Sequence, residues 1–310
     1  MAGNPTDAIR TAAAEIGFAA VGIAAVAPSE TMNRYDAWLA AGRAANMDYL
    51  RRHRDLRTDP RRLLPNARSV IVAAARYPVH PQPGSSFSAL AWGADYHEVV
   101  RSGLHRLRER AANGVALGAT RVCVDSAPLL EREWALRAGV GWRGRQGQIV
   151  NEKAGCCIVL GFMLTEAALD PTPSAPNRCG TCTRCRDACP TGAVQEDGTV
   201  DARRCVAYWT VEHRGEIPSD IARSLGDSLH GCDRCTAVCP WNRFGGDRVM
   251  PGLGQRSALP DAAGCLVMDE AGFTTRFADT VVGRLGLAGL QRNAAIVLAN
   301  QQGEMAVSSQ

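Results

Sequence analysis

The sequence predicts an α/β (α+β) domain, followed by a cysteine-rich module and a short helical C-terminal segment. Helix and strand patterns alternate over the first 170 residues, a proline-rich stretch then interrupts them, and eight of the 12 cysteines lie between Cys179 and Cys239. Alternating elements of this kind form a layered domain around one core. We therefore divide the chain into residues 1–170, 171–245 and 246–310.

The spacing of apolar residues defines the elements of the first part. Thr6 or Asp7 is expected to cap a helix whose apolar positions include Ile9 and Ile16, and Gly17 suits its C-terminal end. Trp38 and Leu39 are expected in a second helix. Amphipathic patterns predict two further helices, at 96–113 and 129–138. Apolar runs predict strands at 18–25, 69–75, 121–125 and 156–164.

Proline content marks the end of this domain. Residues 170–176 (DPTPSAP) contain three prolines, which predicts a stiff and extended linker. Beyond the cysteines the chain becomes rich in glycine, and it closes with an amphipathic helix predicted at 287–299. The third part is therefore expected to be short and helical.

Composition narrows the class of protein. No apolar run is long enough to span a membrane and the N-terminus lacks the pattern of a signal peptide, so we expect a cytoplasmic protein. In a reducing compartment 12 cysteines favour metal ligation over disulfides. The formal charge of +4 is too mild to indicate a nucleic-acid binder. Lys153 is the single lysine, and the many arginines suit phosphate contacts, so an RNA partner stays open.

The cysteine spacing is the strongest motif in the chain. One run follows the bacterial ferredoxin pattern C-x2-C-x2-C-x3-C-P, with Cys179, Cys182, Cys185 and Cys189. A second, shorter run repeats the end of that pattern, with Cys232, Cys235 and Cys239. The isolated Cys205 supplies the cysteine that the second run lacks. These eight thiols are enough for two [4Fe-4S] clusters.

In the ferredoxin pattern, the fourth cysteine of each run ligates the other cluster. One cluster is therefore predicted to bind Cys179, Cys182, Cys185 and Cys239. The other is predicted to bind Cys189, Cys205, Cys232 and Cys235. Zinc is the alternative, since C-x2-C pairs also build tetrahedral zinc sites, but zinc needs neither three successive cysteines nor two Cys-Pro ends. Four further cysteines are expected to be buried structural thiols: Cys123, Cys156, Cys157 and Cys265.

Two clusters form an electron-transfer chain that needs an acceptor. The domain before them has no G-x-G-x-x-G loop and no P-loop lysine, so a nicotinamide acceptor is not indicated. We expect a reductase site in the same polypeptide.

The chain resembles the cobalamin-dependent epoxyqueuosine reductases of tRNA queuosine synthesis. The resemblance runs from about Ile9 to Asn300 and includes the cysteine spacings. Its other segments are residues 15–23 (EIGFAAVGI), 47–50 (MDYL), 55–57 (DLR), 63–70 (LLPNARSV), 95–97 (DYH), 125–132 (DSAPLLER), 138–142 (AGVGW), 231–235 (GCDRC), 239–243 (CPWNR) and 292–296 (RNAAI).

The resemblance implies a chemistry and its residues. Electrons would pass through the clusters to the cobalt of a corrinoid and reduce the epoxide, leaving an alkene and water. Asp125, at the end of a predicted strand, would be the proton donor, which requires burial to raise its pKa. The alternative role for Asp125 is a helix N-cap. The expected corrinoid contacts are Arg57, Tyr96, Asp125, Gln148, Ile149 and Asp233.

The resemblance also bears on ligands and partners. Without it, Arg57 would be a surface arginine, Tyr96 a core residue at a helix start, and His97 a packed or capping residue. The family leaves cobalt free of protein ligands, so His97 is not assigned to it. A tRNA substrate, an unidentified low-potential electron donor and a monomeric state are implied. Residues 144–148 (GRQGQ) and 156–162 (CCIVLGF) depart from the family's usual residues, as do residues 76–78 (RYP) and Ala207.

Two alternatives to this function stay open at this point. One is a related corrinoid iron–sulfur reductase with a small-molecule substrate, similar to a reductive dehalogenase. The other is a non-catalytic module that only transfers electrons. Salt-dependent binding of tRNA would favour the first assignment.

Overall fold

A four-stranded antiparallel sheet forms the centre of the first part of the chain in the computed structural model, which describes residues 4–79, 86–246, 248–254 and 258–308. The strands are β1 (Ala20–Ala25), β2 (Ser69–Arg76), β3 (Thr120–Cys123), β4 (Trp142–Arg143), β5 (Ile149–Val150) and β6 (Ile158–Thr165). The sheet order is β1-β2-β6-β3, and β4 and β5 pair separately.

The central strand β2 is buried along its whole length. Ile71 lies opposite Ile23 of β1, and Val72 lies opposite Phe162 of β6. Every strand pair in the sheet is antiparallel. Asp125 therefore follows a strand of an antiparallel sheet, and the rule that sites collect at the carboxyl ends of parallel strands does not apply to it.

The helices are α1 (Pro5–Ile16), α2 (Met32–Ala40), α3 (Asp48–Arg52), α4 (Tyr96–Ala112), α5 (Glu131–Arg137), α6 (Arg184–Asp187), α7 (Ser219–Leu225), α8 (Arg234–Ala237), α9 (Ala262–Leu266), α10 (Glu270–Phe277) and α11 (Leu287–Ser308). Short 3-10 turns lie at Asp55–Thr58, Pro60–Arg62, Ala89–Trp92, Ala202–Arg204, Pro240–Phe244 and Val281–Arg284. A π-helical turn covers Tyr208–Glu212.

Helices cover both faces of the sheet because β2 is apolar on both sides. On one face Ile71 packs in a core with Ile9 of α1 and Leu104 of α4. On the other face Val72 packs in a core with Trp134 of α5. The mixed α and β architecture that the sequence predicts for this part is confirmed.

The helix ends differ from the predictions at two places. The cap of α1 is Asn4, whose side chain accepts a hydrogen bond from the Thr6 N–H, and Pro5 occupies the first turn. Neither Thr6 nor Asp7 is the cap, because an Asn followed by Pro is the stronger N-terminal signal. Gly17 ends the helix with φ at 109°, as expected. The last helix, α11, continues to Ser308.

The cysteine-rich part has little regular structure. Its helices α6 and α8 have four residues each. The C-terminal helices form their own core, in which Leu290 and Val297 of α11 pack with Phe277 of α10. Asn293 of α11 donates hydrogen bonds to the carbonyls of Thr210 and Leu229, so this core is fixed to the cysteine-rich part.

Several hydrogen bonds connect the cysteine-rich part to the first domain. Trp38 Nε1 donates to the carbonyl of Val200 over 2.8 Å, and Arg143 donates to the carbonyl of Gly198 over 2.7 Å. The domain boundaries stay a prediction. None of the described helices combines the length and the hydropathy that crossing a membrane requires.

Candidate active site

Asp125 lies just beyond β3, in a loop with unusual backbone geometry. Its φ is 50°, in the left-handed region that residues other than glycine rarely adopt. The helix that follows begins at Glu131, and its N-cap is Leu130, which makes no side-chain capping bond. Asp125 is therefore not a helix cap, and that alternative was wrong. Backbone strain of this kind is often found at functional sites.

His97 holds the Asp125 side chain from the first turn of α4. Its Nε2 lies 3.1 Å from Asp125 Oδ2, and its Nδ1 lies 2.5 Å from Asp95 Oδ1. The Asp95 side chain also caps α4 by accepting from the His97 N–H. Arg284 approaches the ring from Val281–Arg284, with Nη1 2.5 Å from His97 Nε2. Two carboxylates and a guanidinium therefore fix the buried imidazole.

Tyr96 completes the contacts of Asp125. Its ring stacks on that of His97 with the centroids 4.0 Å apart, and its hydroxyl donates a hydrogen bond to the Asp125 carboxylate. Burial raises the pKa of Tyr96 well above its ordinary value, and the Asp125 charge adds to the effect. The phenol therefore stays protonated and available as a donor.

The pKa of Asp125 is lowered, which corrects the expectation that burial raises it. Burial does raise the pKa, but hydrogen bonds from His97 and Tyr96 and the charges of His97 and Arg284 outweigh it. Burial alone would lower the pKa of His97, yet its bonds to Asp125 and Asp95 raise that pKa above the ordinary value. Both shifts favour an ionised Asp125 and a protonated imidazole.

Glu131 is a second acid beside Asp125 that sequence reasoning missed. Its Oε1 accepts a hydrogen bond from the Asp125 N–H over 2.8 Å. Burial, followed by the negative charge of Asp125, raises the pKa of Glu131 to about 8. The available signal was the segment 125–132, which contains both acids, because a carboxylate in the first turn of a helix can reach back to the loop before it.

Arg57 connects the loop of Asp125 to a tyrosine-lined wall. Its side chain is buried, and Nη1 donates to the carbonyl of Leu129 over 3.0 Å. Its guanidinium lies 5.9 Å from the centre of the Tyr35 ring. Its Nε has no hydrogen-bond partner among the described residues. Burial and the charges of Glu212 and Asp125 raise the pKa of Tyr49 to about 12, so Tyr49 belongs to the same pocket.

The remaining predicted corrinoid contacts, Gln148, Ile149 and Asp233, differ in which of their groups a ligand could contact. The exposed Gln148 accepts through Oε1 from Arg132 over 3.3 Å. Ile149 is buried in the core beside α5, so its main chain alone is left for a ligand. Asp233 accepts a hydrogen bond from the Ala89 N–H over 2.6 Å, which ties the second cysteine run to the segment leading into α4.

The division of the eight cysteines into two ligand sets stays a prediction, and the structure gives neighbours for some of them. Burial raises the pKa of Cys185, and Cys179 and Cys239 add to the effect, so these three lie together. The Cys182 N–H donates to the Cys179 carbonyl in the same loop. Burial also raises the pKa of Cys235, with further contributions from Cys232, Cys205 and Cys189. We name the first group the Cys179 set (Cys179, Cys182, Cys185, Cys239) and the second the Cys205 set (Cys189, Cys205, Cys232, Cys235).

The Cys205 set adjoins a residue, Glu212, that the charge of Asp125 influences. Cys205 comes just before the π-helical turn Tyr208–Glu212, and the charge of Asp125 reaches Glu212, whose pKa is raised first by burial and then by that charge. The Cys179 set instead packs near Trp142 and Trp241. Cys123, Cys156, Cys157 and Cys265 are buried free thiols, as expected. In the described ranges, no three His, Cys, Asp or Glu side chains converge on one metal ion.

Family comparisons identify both parts of the chain. Residues 57–126 match the family described as epoxyqueuosine reductase QueG, DUF1730. Residues 178–242 match the 4Fe-4S double cluster binding domain. The chain therefore carries a double-cluster domain, which confirms the prediction of clusters over zinc.

Two relatives that align with most of this chain are both named epoxyqueuosine reductase. An epoxyqueuosine reductase of Vibrio cholerae is 38% identical over 303 residues, covering 94% of this chain and 82% of the relative. An epoxyqueuosine reductase of Escherichia coli is 35% identical over 297 residues, covering 92% and 78%.

Solved structures are similar over nearly the whole chain. A crystal structure of epoxyqueuosine reductase with an epoxyqueuosine-modified tRNA-Tyr stem loop has a TM-score of 0.87 and 28% identity, covering 95% of this chain and 80% of that one. The Bacillus subtilis enzyme, with its catalytic aspartate loop swung out of the active site, has a TM-score of 0.85 and 27% identity, covering 95% and 81%.

Proposed function

Because the chain belongs to the epoxyqueuosine reductase family, we propose that it reduces epoxyqueuosine in tRNA to queuosine. One observation carries the proposal beyond the family: Asp233, between two cysteines of the double-cluster domain, accepts a hydrogen bond from Ala89 in the segment that leads to Tyr96 and His97. A carrier of electrons alone has no need of that pocket, and the relatives' shared name favours tRNA over a small-molecule substrate.

The reaction sets what the site has to supply. Converting an epoxide to an alkene and water consumes two electrons and two protons. The ring oxygen leaves carbon and must be protonated, since an alkoxide or hydroxide is a poor product at neutral pH. The chain therefore needs a one-electron path and a proton source at the same place.

The two cysteine sets supply the electron path. Each set has four thiols, the number that a [4Fe-4S] cluster takes. Anaerobic analysis of the reconstituted protein should give about eight irons and about eight sulfides per chain. Stoichiometric zinc without sulfide would contradict this assignment.

The residues around Asp125 suit a corrinoid. The buried Arg57 has an Nε without a partner among the described residues, and the Tyr35 and Tyr49 rings line the same pocket. Arg57, Tyr96, the main chain at 148–149 and Asp233 would hold the group. When bound, its reduced cobalt supplies electrons to the epoxide. Both nitrogens of His97 contact protein groups, which supports a cobalt without a protein ligand.

Asp125 and His97 supply the proton as a pair. The imidazole, whose pKa is raised, holds the proton 3.1 Å from Asp125 Oδ2. The Asp125 side chain is 55% exposed and faces the open side of the pocket. A substrate that covers this side removes water from the carboxylate, which favours its protonated form. The proton then passes from His97 through Asp125 to the epoxide oxygen as that oxygen leaves carbon.

The test is a reaction with tRNA that carries epoxyqueuosine. The protein is reconstituted with clusters and cobalamin under anaerobic conditions, and product nucleosides are followed by mass spectrometry. We expect queuosine to form and to depend on cobalamin. Full reduction of both clusters without any queuosine would contradict the proposed function and favour the electron carrier.

A further inference from the structure

A groove of about 1100 Å³ lies on the cysteine module beside the Cys179 set. Cys239, a predicted ligand of that set, is part of its wall. The other lining residues are Arg76, Pro78, Val79, Arg184, Asp187 and Ala188, with Ala237, Val238, Pro240, Asn242, Arg243, Gly246 and Val249. The lining does not include any residue of the Asp125 pocket, so the groove is a separate surface.

The groove carries positive charge at its rim. Arg184 and Arg243 are exposed, and neither forms an ion pair with any residue that the structure describes. The lining carboxylate, Asp187, accepts a hydrogen bond from the Thr183 hydroxyl. Basic side chains without partners attract acidic surfaces and speed their association.

Apolar surface accompanies these charges. Val238, which lines the groove, is 36% exposed, and Phe244, the neighbour of the lining residue Arg243, is 49% exposed. The Arg243 guanidinium lies over the Phe244 ring, 4.6 Å from its centre. A small apolar patch with a charged rim is typical of a transient interface, and electron-transfer complexes lie at the small end of the size range.

The position of the groove fits the direction of electron flow. Asp233, between two cysteines of the Cys205 set, contacts the segment that leads to Tyr96 and His97, whereas Cys239 of the Cys179 set lines the groove. Electrons are therefore expected to enter through the Cys179 set. Cys239 brings that set to the groove wall. A carrier seated there would be separated from the cluster only by its cysteine ligand and the adjoining turn Pro240–Phe244.

We propose that this groove is the docking site of an acidic protein that carries one electron at a time. The inference rests on the proposed function. Each encounter oxidises the carrier by one electron and reduces the cluster of the Cys179 set by one. Two encounters supply the two electrons that one epoxide consumes. The occupant is a protein with an acidic rim around its redox group, since the groove offers arginines and an apolar centre.

The test uses the double variant Arg184→Glu/Arg243→Glu without tRNA or cobalamin. Stopped-flow absorbance follows bleaching of the clusters by a flavodoxin hydroquinone, an acidic one-electron carrier, at low ionic strength. We expect the second-order rate to fall by about tenfold or more, and its salt dependence to weaken. Titanium(III) citrate, which needs no docking site, should reduce the variant as fast as the wild type.

The matched control is Arg68→Glu/Arg106→Glu, which makes the same change of charge at exposed positions outside the groove. It should keep most of the wild-type rate with flavodoxin. Equal rates for the wild type and the Arg184→Glu/Arg243→Glu variant, including no reduction of either, would overturn the proposal. So would an equal loss with titanium citrate, or a loss of tRNA binding at an unchanged flavodoxin rate. Because cluster bleaching needs no epoxyqueuosine, the result does not depend on whether queuosine is formed.

Discussion

The Asp125 pocket and the cysteine module are built in opposite ways. Partners in the pocket are far apart in the chain: His97 and Asp125 are separated by 28 residues, and His97 and Arg284 by 187. Protein hydrogen bonds fix each of them. The cysteines of the module are three or four residues apart within each run and lie in loops and four-residue helices.

The geometry of the pocket therefore depends on the fold, whereas the geometry of the module depends on its clusters. The pocket stands on a sheet whose central strand is wholly buried, with helices on both faces. Helices as short as α6 and α8 are not stable by themselves. Metal ligation supplies folding free energy in modules of this kind. We therefore expect the pocket to keep its geometry without clusters, and the module to lose its geometry.

Loss of one cluster should have the largest effect. Cys205→Ala removes the isolated ligand of the set nearer the pocket, so we expect queuosine formation to be abolished while the Cys179 set keeps its cluster. Iron and sulfide should fall to about half, to four of each per chain. Near-ultraviolet circular dichroism of the first domain should change little.

Cys265→Ala is the control, because Cys265 is a buried thiol outside both sets. It should keep both clusters and most of the turnover. If Cys205→Ala keeps all its iron, Cys205 is not a ligand. If it loses all its iron, the two sites depend on each other and are not separate sets.

Asp125→Asn tests the pocket with a smaller expected effect. The amide has nearly the same size but cannot be protonated to deliver a proton, so turnover should fall by about a hundredfold or more. Product nucleosides after single turnover would measure it. Both cluster spectra should be unchanged, because neither cysteine set involves Asp125. A turnover near that of the wild type would remove Asp125 from the proton path and leave Glu131 as the nearest other acid.

The sequence predicted the two regions to different extents because their functional residues are separated by different distances along the chain. Most of the predicted ligands lie in two short runs, so spacing alone predicted Cys179 to Cys189 and Cys232 to Cys239, and Cys205 completed the count. Asp125 was assigned only through a family resemblance. The partners that set its charge state, above all Arg284, are far from it in the sequence. No local sequence pattern predicts a contact between the start of a helix and a turn near the C-terminus.

The same reason explains why the predicted direction of the pKa shift of Asp125 was wrong. From the sequence, burial is the influence that can be anticipated for an acid at the end of a strand. The hydrogen bonds from His97 and Tyr96 depend on how α4 crosses the sheet, which only the folded chain determines. The strands and most helices were predictable because their apolar periodicity is a property of neighbouring residues. The antiparallel order of the strands was not.

Glu131 tests how the pocket holds its strained loop. Glu131→Ala removes the acceptor of the Asp125 N–H, so the loop that positions Asp125 is held less firmly and turnover should fall about tenfold. Glu131→Gln keeps an acceptor oxygen and should keep turnover within about threefold of the wild type. Because the pKa of Glu131 is about 8, the wild type also loses a proton from this group above that pH, and the Gln variant does not.

The comparison of the two Glu131 variants should be made at pH 7 and at pH 9. We expect the wild-type rate to change relative to Glu131→Gln only at the higher pH, where Glu131 ionises beside Asp125. Equal losses in the Ala and Gln variants at pH 7, where Glu131 is protonated, would show that turnover needs the carboxyl group itself and not only an acceptor for the loop.

His230 lies where the two regions join, and it should give the smallest effect. Its carbonyl accepts from the Ser88 N–H, its side chain is 3% exposed, and neither ring nitrogen has a partner among the described residues. Burial lowers its pKa to about 4. Between that pH and the ordinary value of about 6.5, the unfolded chain binds more protons than the folded one. Stability is therefore complete above about pH 6.5 and falls as the pH drops toward 4.

His230→Phe removes this titration and fills much of the same volume. At pH 5.5 the linkage amounts to about 1 kcal/mol, so the wild-type Tm should fall by about 2–4 °C between pH 7.5 and 5.5 in excess of the fall in the variant. Anaerobic differential scanning fluorimetry at the two pH values measures both. Parallel shifts in the two proteins would mean that the imidazole is accessible to protons in the folded state. The contact region between the pocket and the module would then be open to water. The loss of stability at low pH would then have to come from the carboxylates.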